Sequence, residues 1–246
     1  MKPLLIMVAT LMWCQAQSPA FEVASVKVNR SQGGRIRRDP GRLDITGMTL
    51  RAMVRYAYDV RDIQVSGGPA WLDSDYWDIA ATAGREVTDD ERKKMLQALL
   101  TERFKMTIHR ETKELPVYAL VVAKNGSKLK PNTEGKQERI MLNAKAGLFT
   151  MMGDDVTVPK IAEVLFGQVK RIVIDRTGIE GSFDFKLEWV PDATNMPSIN
   201  GAKMEASTEG PSIFTAVQEQ LGLKLESTKG PVEILVIDRA EKPSGN

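Results

Sequence analysis

The stretch ELPVYALVVAK runs from Glu114 to Lys124, and a near copy of it, KGPVEILVIDR, runs from Lys229 to Arg239. In both, a proline–valine pair leads into a run of apolar and β-branched residues, which is typical of a strand buried inside a sheet. Two such similar strands, far apart in one chain, raise the possibility of an internal duplication. The residues that precede each copy test this interpretation.

The segment GRLDITGMTLRAMVRYAYDVRDIQVSGG from Gly41 resembles GLFTMMGDDVTVPKIAEVLFGQVKRIVIDR from Gly147. In each, a threonine, Thr49 or Thr157, is placed to cap a helix. Apolar residues follow at the i, i+3, i+4, i+7, i+8 spacing of one buried helical face. In the first copy these are Leu50, Met53, Val54, Ala57 and Tyr58; in the second they are Val158, Ile161, Ala162, Leu165 and Phe166.

The later parts of the two segments correspond as well. WDIAATA from Trp77 and FDFKLEW from Phe183 both alternate apolar and other residues, as a strand with one buried face does. TDDERKKMLQALLTERF begins with Thr88 and has Glu91 three residues on, which predicts a capping box and a helix. GPSIFTAVQEQLG ends at Gly222, a helix stop. Two strands are expected after each helix, joined by hairpins at TKEL and KG.

The sequence therefore predicts an α+β protein with two duplicated units of the form strand-helix-strand-strand-helix-strand-strand, at residues 41–124 and 147–239. Helices are expected to pack on antiparallel or mixed sheets. FEVASVKV from Phe21 adds an edge or bridging strand, so that the first unit extends over 21–124. The remaining segments are a linker at 125–146, with a strand at Ile140–Leu142 as an alternative, a long loop or disordered excursion at 190–210 and a frayed tail at 240–246.

Residues 1–17 have the organisation of an export signal. Lys2 supplies a positive charge, an apolar run of about ten residues follows, and Cys14 and Ala16 are small residues near a cleavage site. The run has half of the roughly 20 residues that span a bilayer. We expect cleavage after Ala16 and an exported chain, periplasmic or secreted, with no transmembrane segment in its mature form. Lipidation of Cys14 is an alternative, although Trp13 fits a lipobox poorly, and a retained anchor is another.

Composition narrows the classes of function. The chain has 246 residues, of which 42% are hydrophobic and 27% are charged, as in an ordinary globular protein. With 34 basic and 32 acidic residues, the net charge of +2 gives no support for a nucleic-acid-binding protein. Cys14 is the only cysteine, so no disulfide, thiolate nucleophile or cysteine metal site is expected after cleavage. No cofactor is predicted.

Several longer motifs resemble one protein family. These are FEVASVK after the export signal, SGGPAWLDSDYWDI, LLTERFKMTIHRETKELPVYALVV, DRTGIEGSFDFKLEW and LGLKLESTKGPVEILVIDRAEKPS. They look like the soil-associated exported proteins of acidobacteria, and the resemblance extends over nearly the whole mature chain. That family is a domain of unknown function without assigned catalytic residues.

Similar domains occur at the exported end of BlaR-type membrane metallopeptidases, which are signal receptors. The resemblance therefore implies a sensing or partner-binding role. The chain contains no peptidase segment and no zinc motif of the histidine–glutamate type, so we expect that it is not such a receptor by itself.

The stretch WLDSDYWD, from Trp71 to Asp78, places three carboxylates beside three aromatic rings. Besides Asp78, the carboxylates are Asp73 and Asp75. Paired carboxylates near aromatic rings suit a glycan hydrolase, and the same oxygens suit a calcium loop. In the second copy, GIEGSFDF keeps only Asp184, which favours a turn or strand-edge role for the shared aspartate. Glycan contact through Trp71 stays open, and no metal site is predicted.

The stretch NRSQGGRIRRDPGR contains five arginines around a Gly-Gly pair, and we expect it to be a mobile loop. Guanidinium groups in such a loop suit carboxylates, phosphates or anionic envelope polymers. A solvated run of charge is the alternative interpretation. The arginines are Arg30, Arg35, Arg37, Arg38 and Arg42.

His109 is the only histidine. Its neighbours Met106 and Ile108 are apolar, so His109 is expected to project from a strand toward solvent. A hydrolase triad or a histidine-rich metal site requires further partners. We expect a surface histidine.

Together these features favour an exported, non-enzymatic binding or interaction module, either sensory or scaffold-like. Its predicted partner is an envelope protein, or an anionic or glycan ligand. Two alternatives stay open: a glycan-acting hydrolase that uses Asp73, Asp75 and Asp78, and a structural surface protein that self-assembles. The residues expected to contact a ligand are Arg35, Arg37, Arg38, Arg42, Trp71, Asp73 and Asp75.

Overall fold

A computed structural model describes residues 19–133, 135, 137–145, 147–192, 198–199, 202–203 and 209–243. The predicted export signal at 1–17 lies outside these residues. The helices in this part of the chain are α1 (Leu50–Tyr58), α2 (Asp89–Arg103), α3 (Val158–Val169) and α4 (Ile213–Leu221). Short 3₁₀ helices span Asp62–Gln64 and Ala70–Leu72.

The strands are β1 (Val23–Asn29), β2 (Arg35–Asp39), β3 (Arg42–Thr49), β4 (Val65–Gly67), β5 (Tyr76–Thr82), β6 (Thr107–Val122), β7 (Lys130–Pro131), β8 (Arg139–Lys145), β9 (Leu148–Thr157), β10 (Val173–Asp175), β11 (Ser182–Trp189), β12 (Ser198–Ile199), β13 (Ala202–Lys203) and β14 (Leu223–Arg239). They form sheets in the orders β1-β5-β3-β2, β10-β6-β14-β4, β7-β11-β9-β8 and β12-β13. The first and third of these are antiparallel, whereas β4 and β10 pair in parallel with their neighbours. The predicted α+β class with antiparallel or mixed sheets is confirmed. The duplication remains a prediction from the sequence.

The chain forms two compact units. Unit 1 contains the chain up to Thr112 and from Glu233 onward, and unit 2 contains Lys113–Val232. The division falls inside β6 and β14, so each of these strands contributes one part to each unit. In unit 1, β4 pairs with the last part of β14. In unit 2, β10 pairs with the last part of β6.

The two hairpins predicted at TKEL and KG are wrong, because each pair of expected strands is one continuous strand, β6 or β14. A tight two-residue hairpin needs residues with positive φ. Neither Thr112–Leu115 nor Lys229–Gly230 contains one. The predicted edge strand from Phe21 is confirmed as β1.

Two other predicted segments contain strands. The segment 125–146, predicted as a linker, contributes β7 and β8 to the sheet of unit 2. In the predicted loop 190–210, β12 and β13 form a short antiparallel ladder. Many of the other residues of that loop lie outside the described part of the chain.

The buried faces of the helices follow the predicted spacing. Leu50, Met53, Val54 and Ala57 of α1 are buried in the core of unit 1. Their counterparts in α3, Val158, Ile161, Ala162 and Leu165, are buried in the core of unit 2. Burial of one of the larger of these side chains, leucine, isoleucine, valine or methionine, stabilises a fold by about 1.5–3 kcal/mol. The fifth position, Tyr58 or Phe166, is only partly buried.

The helix ends agree with the predicted caps in part. Thr49 Oγ1 accepts a hydrogen bond from Ala52 N–H at 3.3 Å, and Thr88 Oγ1 accepts one from Glu91 N–H at 3.2 Å. The carboxylate of Glu91 binds Arg85. Thr157 has the extended backbone of an N-cap, but its side chain makes no capping hydrogen bond.

Gly222 ends α4 with φ of +65°, and a Cβ at this position would lie 2.1 Å from the carbonyl oxygen of Gly126. Gly178 also has positive φ, +67°, but a Cβ added there would meet no atom within 4 Å. We expect Gly178→Ala to cost about 1 kcal/mol for the left-handed backbone. Gly222→Ala is expected to cost about 1–3 kcal/mol more, because the added atom overpacks the site. Denaturant titration compares the two variants, and equal losses would contradict the steric argument.

Candidate functional site

From Arg35 onward the arginine-rich stretch forms an edge hairpin, so the predicted mobile loop is wrong for this part, whereas residues 30–34 lie in no strand. β2 pairs with β3 and is the outer strand of its sheet. Ile36 lies opposite the buried Ile45, which fixes the strand because alternate residues must face the core. We call residues 35–44 the arginine hairpin.

Acidic side chains neutralise part of the arginine hairpin. The ion pairs are Arg37 Nε–Asp39 Oδ2 at 3.0 Å, Arg38 Nη1–Asp89 Oδ2 at 3.3 Å and Arg42 Nε–Asp44 Oδ2 at 2.7 Å. Exposed pairs of this kind contribute about 0–1 kcal/mol, so a stronger anionic partner can replace them. Arg30 and Arg35 are exposed, and neither has an ion pair or side-chain hydrogen bond with any residue that the structure describes.

The pair of Arg42 and Asp44 has the best geometry of the three. Arg42 donates a second hydrogen bond, from Nη2 to Asp44 Oδ1, at 2.9 Å. The hydrogen bonding by Arg42 lowers the pKa of Asp44 below its ordinary value, while burial acts in the opposite direction. Asp44 therefore stays ionised into the acid range and holds Arg42 in place.

The carboxylates of the predicted acidic cluster have three separate sets of partners. Asp73 Oδ1 lies 2.6 Å from Arg51 Nε, Asp75 Oδ2 lies 2.7 Å from Lys242 Nζ, and Asp78 Oδ1 accepts hydrogen bonds from Asn29 Nδ2 at 2.7 Å and Gly47 N–H at 2.8 Å. Among the described residues, no group of three or more His, Cys, Asp or Glu side chains is arranged to hold a metal ion.

Asp78 closes a β-bulge inside the sheet, on a strand with a neighbour on each side, rather than lying in a turn or at a strand edge as predicted. The register of β3 against β5 shifts between Ile45 and Met48, and Gly47 there has φ of +61°. The bulge turns the N–H of Gly47 out of the strand ladder, and Asp78 accepts its hydrogen bond.

Asp184 closes a corresponding bulge in unit 2. Its Oδ1 accepts hydrogen bonds from Asn132 Nδ2 at 2.8 Å and from Asp155 N–H at 3.0 Å, and Asp155 has φ of +55°. Neither asparagine of these clamps, Asn29 or Asn132, was predicted from the sequence, because the β-bulge that each helps to close is a feature of strand pairing.

Trp71 belongs to an aromatic cluster rather than to an open platform. Its ring lies 6.3 Å from those of Phe104 and Trp77, stacked on the first and edge-on to the second. Lys242 Nζ lies 5.7 Å from the centre of the Trp71 ring and also pairs with Asp75. Lys242, in the segment predicted to be a frayed tail, therefore covers both candidate contact residues.

His109 is exposed, as predicted, and lies on β6. Its Nδ1 is 2.8 Å from Oδ1 of Asp238 on β14. The side chains of His109 and Asp238 are each about half exposed. The geometry is that of a surface histidine–aspartate pair.

The sequence model of one protein family, described as "Protein of unknown function (DUF3738)", matches residues 51–240. No curated protein and no solved structure matches the chain. None of the described helices is both long and apolar enough to cross a lipid bilayer.

Asp78→Ala is expected to destabilise the protein by about 1–3 kcal/mol, because two partly buried donors lose their shared acceptor. Glu86→Ala is the control, since Glu86 is exposed and its carboxylate accepts no hydrogen bond from a described residue. Urea denaturation measures both changes. A loss for Asp78→Ala no larger than that for Glu86→Ala would contradict the clamp.

Arg42→Ala is expected to raise the pKa of Asp44 toward the ordinary aspartate value, because the main hydrogen-bond donor is removed. In the intact protein, the lowered pKa means that the pair stabilises the fold above the unfolded-state pKa and loses this effect as pH falls through the folded-state pKa. Carbon-13 NMR titration of the Asp44 carboxyl measures the shift. Arg85→Ala, which removes the partner of Glu91, is the control, and an unchanged Asp44 titration in Arg42→Ala would refute the assignment.

Proposed function

The chain belongs to the DUF3738 family of proteins of unknown function, and we propose that it is a non-enzymatic binding module of the cell envelope. The proposed partner is an envelope protein or an anionic or glycan ligand. The arginine hairpin is the proposed contact surface.

The observation that carries this proposal is the uncompensated positive charge at the hairpin. Five arginines lie in or next to it, and three aspartates pair with Arg37, Arg38 and Arg42. Arg30 and Arg35 are left exposed for an anionic partner. Guanidinium groups bind carboxylates and phosphates through paired hydrogen bonds, which gives such a surface selectivity as well as affinity.

The position of β2 adds a second support. As the outer strand of its sheet, β2 directs backbone N–H and C=O groups away from β3. An extended acidic segment can bind such an edge through its backbone and reach Arg35 and Arg37 with its side chains.

The arrangement of Asp73, Asp75 and Asp78 favours this proposal over a hydrolase. A glycosidase directs two carboxylates at one scissile bond, one as acid and the other as nucleophile or base. Here Asp73 and Asp75 pair with different cations, and Asp78 accepts two hydrogen bonds within its own sheet. Each carboxylate thus has a structural partner.

The envelope location is proposed from residues 1–17. A positive residue, a short apolar run and small residues at the end are typical of a secretory signal. The exported protein is then periplasmic or secreted, with lipidation at Cys14 as the alternative.

In-cell crosslinking of the tagged protein, followed by mass spectrometry, tests the proposed partner. We expect a reproducible partner whose yield falls at least about tenfold in the double variant Arg30→Ser/Arg35→Ser, because the unpaired charges are lost. The control is Arg176→Ser/Lys229→Ser, which removes two exposed charges from unit 2. Equal capture by both variants would remove the hairpin from the proposal, and capture of the protein alone would favour a self-assembling surface protein.

A further inference from the structure

The antiparallel sheets of the two units differ at one edge. In unit 1, β1 pairs with β5 along the whole length of β5. In unit 2, β7 occupies the same place in the strand order but pairs only with Phe183 and Asp184 of β11. In the described part of the chain, no strand covers the rest of this edge of β11, from Phe185 onward.

A cavity of about 400 Å³ lies along the uncovered edge. Its lining includes apolar groups from β11, β9 and α4, which are Phe185, Met152 and Leu221, and three lysines, which are Lys128, Lys130 and Lys186. An apolar floor with a few convergent charged groups is the common form of a binding site. These lysines were not predicted as contact residues, although the alternation in SKLK places Lys128 and Lys130 on one side of an extended segment.

The hydrogen bonds of the Gln220 side chain show which residues of β11 direct their backbone groups toward the open edge. Glu188 N–H donates to Gln220 Oε1 at 2.8 Å, and Gln220 Nε2 donates to the carbonyl oxygen of Glu188 at 2.8 Å. The amide thus pairs with Glu188 as a neighbouring strand would. Alternate residues of an antiparallel strand direct their backbone groups to the same side, so Lys186 directs its N–H and C=O toward the cavity.

The open stretch is short. β7 ends the pairing at Asp184, and Gln220 occupies the backbone of Glu188. At about 3.3 Å per residue, the gap between them accommodates an extended segment of about three residues.

The lysines make the cavity suited to acidic side chains. Lys130 is exposed and forms no ion pair with a described residue. Lys128 Nζ donates to a backbone carbonyl, that of Glu219, at 2.6 Å. Lys186 pairs with Glu188 at 3.0 Å in an exposed pair, which costs little to exchange.

The acidic residues of the lining already have partners. Asp184 closes the bulge with Asn132 and the N–H of Asp155. Asp154 lies 3.5 Å from Arg139. The lining has three lysines against these two aspartates, so its net charge is positive.

We propose that this edge of β11 binds a short, extended, acidic segment of a partner protein, which adds to the sheet between β7 and Gln220. Its backbone bonds to Lys186, its carboxylates meet Lys128 and Lys130, and an apolar side chain packs on Phe185 and Leu221. Strand addition of this kind takes affinity from the backbone and specificity from the side chains. The inference does not depend on the arginine hairpin, which lies in unit 1.

Titration of the nitrogen-15-labelled protein with the blocked pentapeptide VEVEV tests the proposal by NMR. We expect saturable shifts at the amide of Lys186 and the side-chain amide of Gln220, with a dissociation constant below about 1 mM. The blocked peptide VKVKV is expected to bind at least about tenfold more weakly, because its charges face the lysines. No shift at these groups with VEVEV would overturn the proposal.

Two substitutions of Lys186 separate the contribution of its backbone N–H to binding from that of its charge. Lys186→Ala keeps the N–H and is expected to retain binding within a few-fold, whereas Lys186→Pro removes the N–H on the open side and is expected to abolish binding. The proline variant is expected to fold, since proline is tolerated at a strand edge. Lys130→Glu is expected to weaken binding at least about tenfold, and Lys229→Glu, on the exposed surface of β14, is the matched control.

Free glutarate distinguishes a small-anion cavity from strand addition. It carries two carboxylates without a peptide backbone, so we expect no more than weak shifts that do not respond to Lys186→Pro. Binding of glutarate as tight as that of VEVEV would overturn strand addition in favour of a small-anion site. A concentration-dependent dimer that protects the same amides without peptide would overturn it in favour of a second copy of the chain.

Discussion

In each unit, a short strand pairs in parallel with the last part of β6 or β14. β4 pairs with Leu235–Ile237 in unit 1, and β10 pairs with Tyr118–Leu120 in unit 2. Leu235 and Leu120 are buried in the cores of their units. A buried strand must satisfy its backbone hydrogen bonds with neighbouring strands. Each unit therefore depends on a segment that lies far along the chain from its helices.

This pairing accounts for the repeated strand. VEILVID belongs to unit 1, although it lies near the end of the chain. PVYALVV belongs to unit 2, although it directly follows the elements of unit 1 in the chain. The two segments perform the same task, a central strand beside a short parallel one, so similar residues suit both. Hairpins at Thr112–Leu115 and Lys229–Gly230 would have returned each segment to the unit that precedes it. Because β6 and β14 are continuous, each segment instead becomes part of the other unit.

The candidate contact residues divide according to what the fold requires of them. Asp78 and Asp184 accept the hydrogen bonds that close their β-bulges. Lys242 pairs with Asp75 and lies over the ring of Trp71. The arginine hairpin and the edge of β11 carry charge that the fold does not use. β2 is the outer strand of its sheet, and among the described residues β11 has no neighbouring strand on one side beyond its short pairing with β7. The proposed binding role for this DUF3738 protein rests on these two edges rather than on the acidic cluster.

The sequence by itself determined the local structure: the buried faces of α1 and α3, the inward residues Trp77, Ile79 and Ala81 of β5, and the left-handed stop at Gly222. These follow from periodicity and from the conformational range of single residues, which depend on neighbours in the chain. Only the tertiary structure decided that β6 and β14 run through without a turn, that Lys242 covers Trp71, and that β11 has an open edge. These features depend on contacts between residues distant in the sequence, whose partners no local pattern specifies.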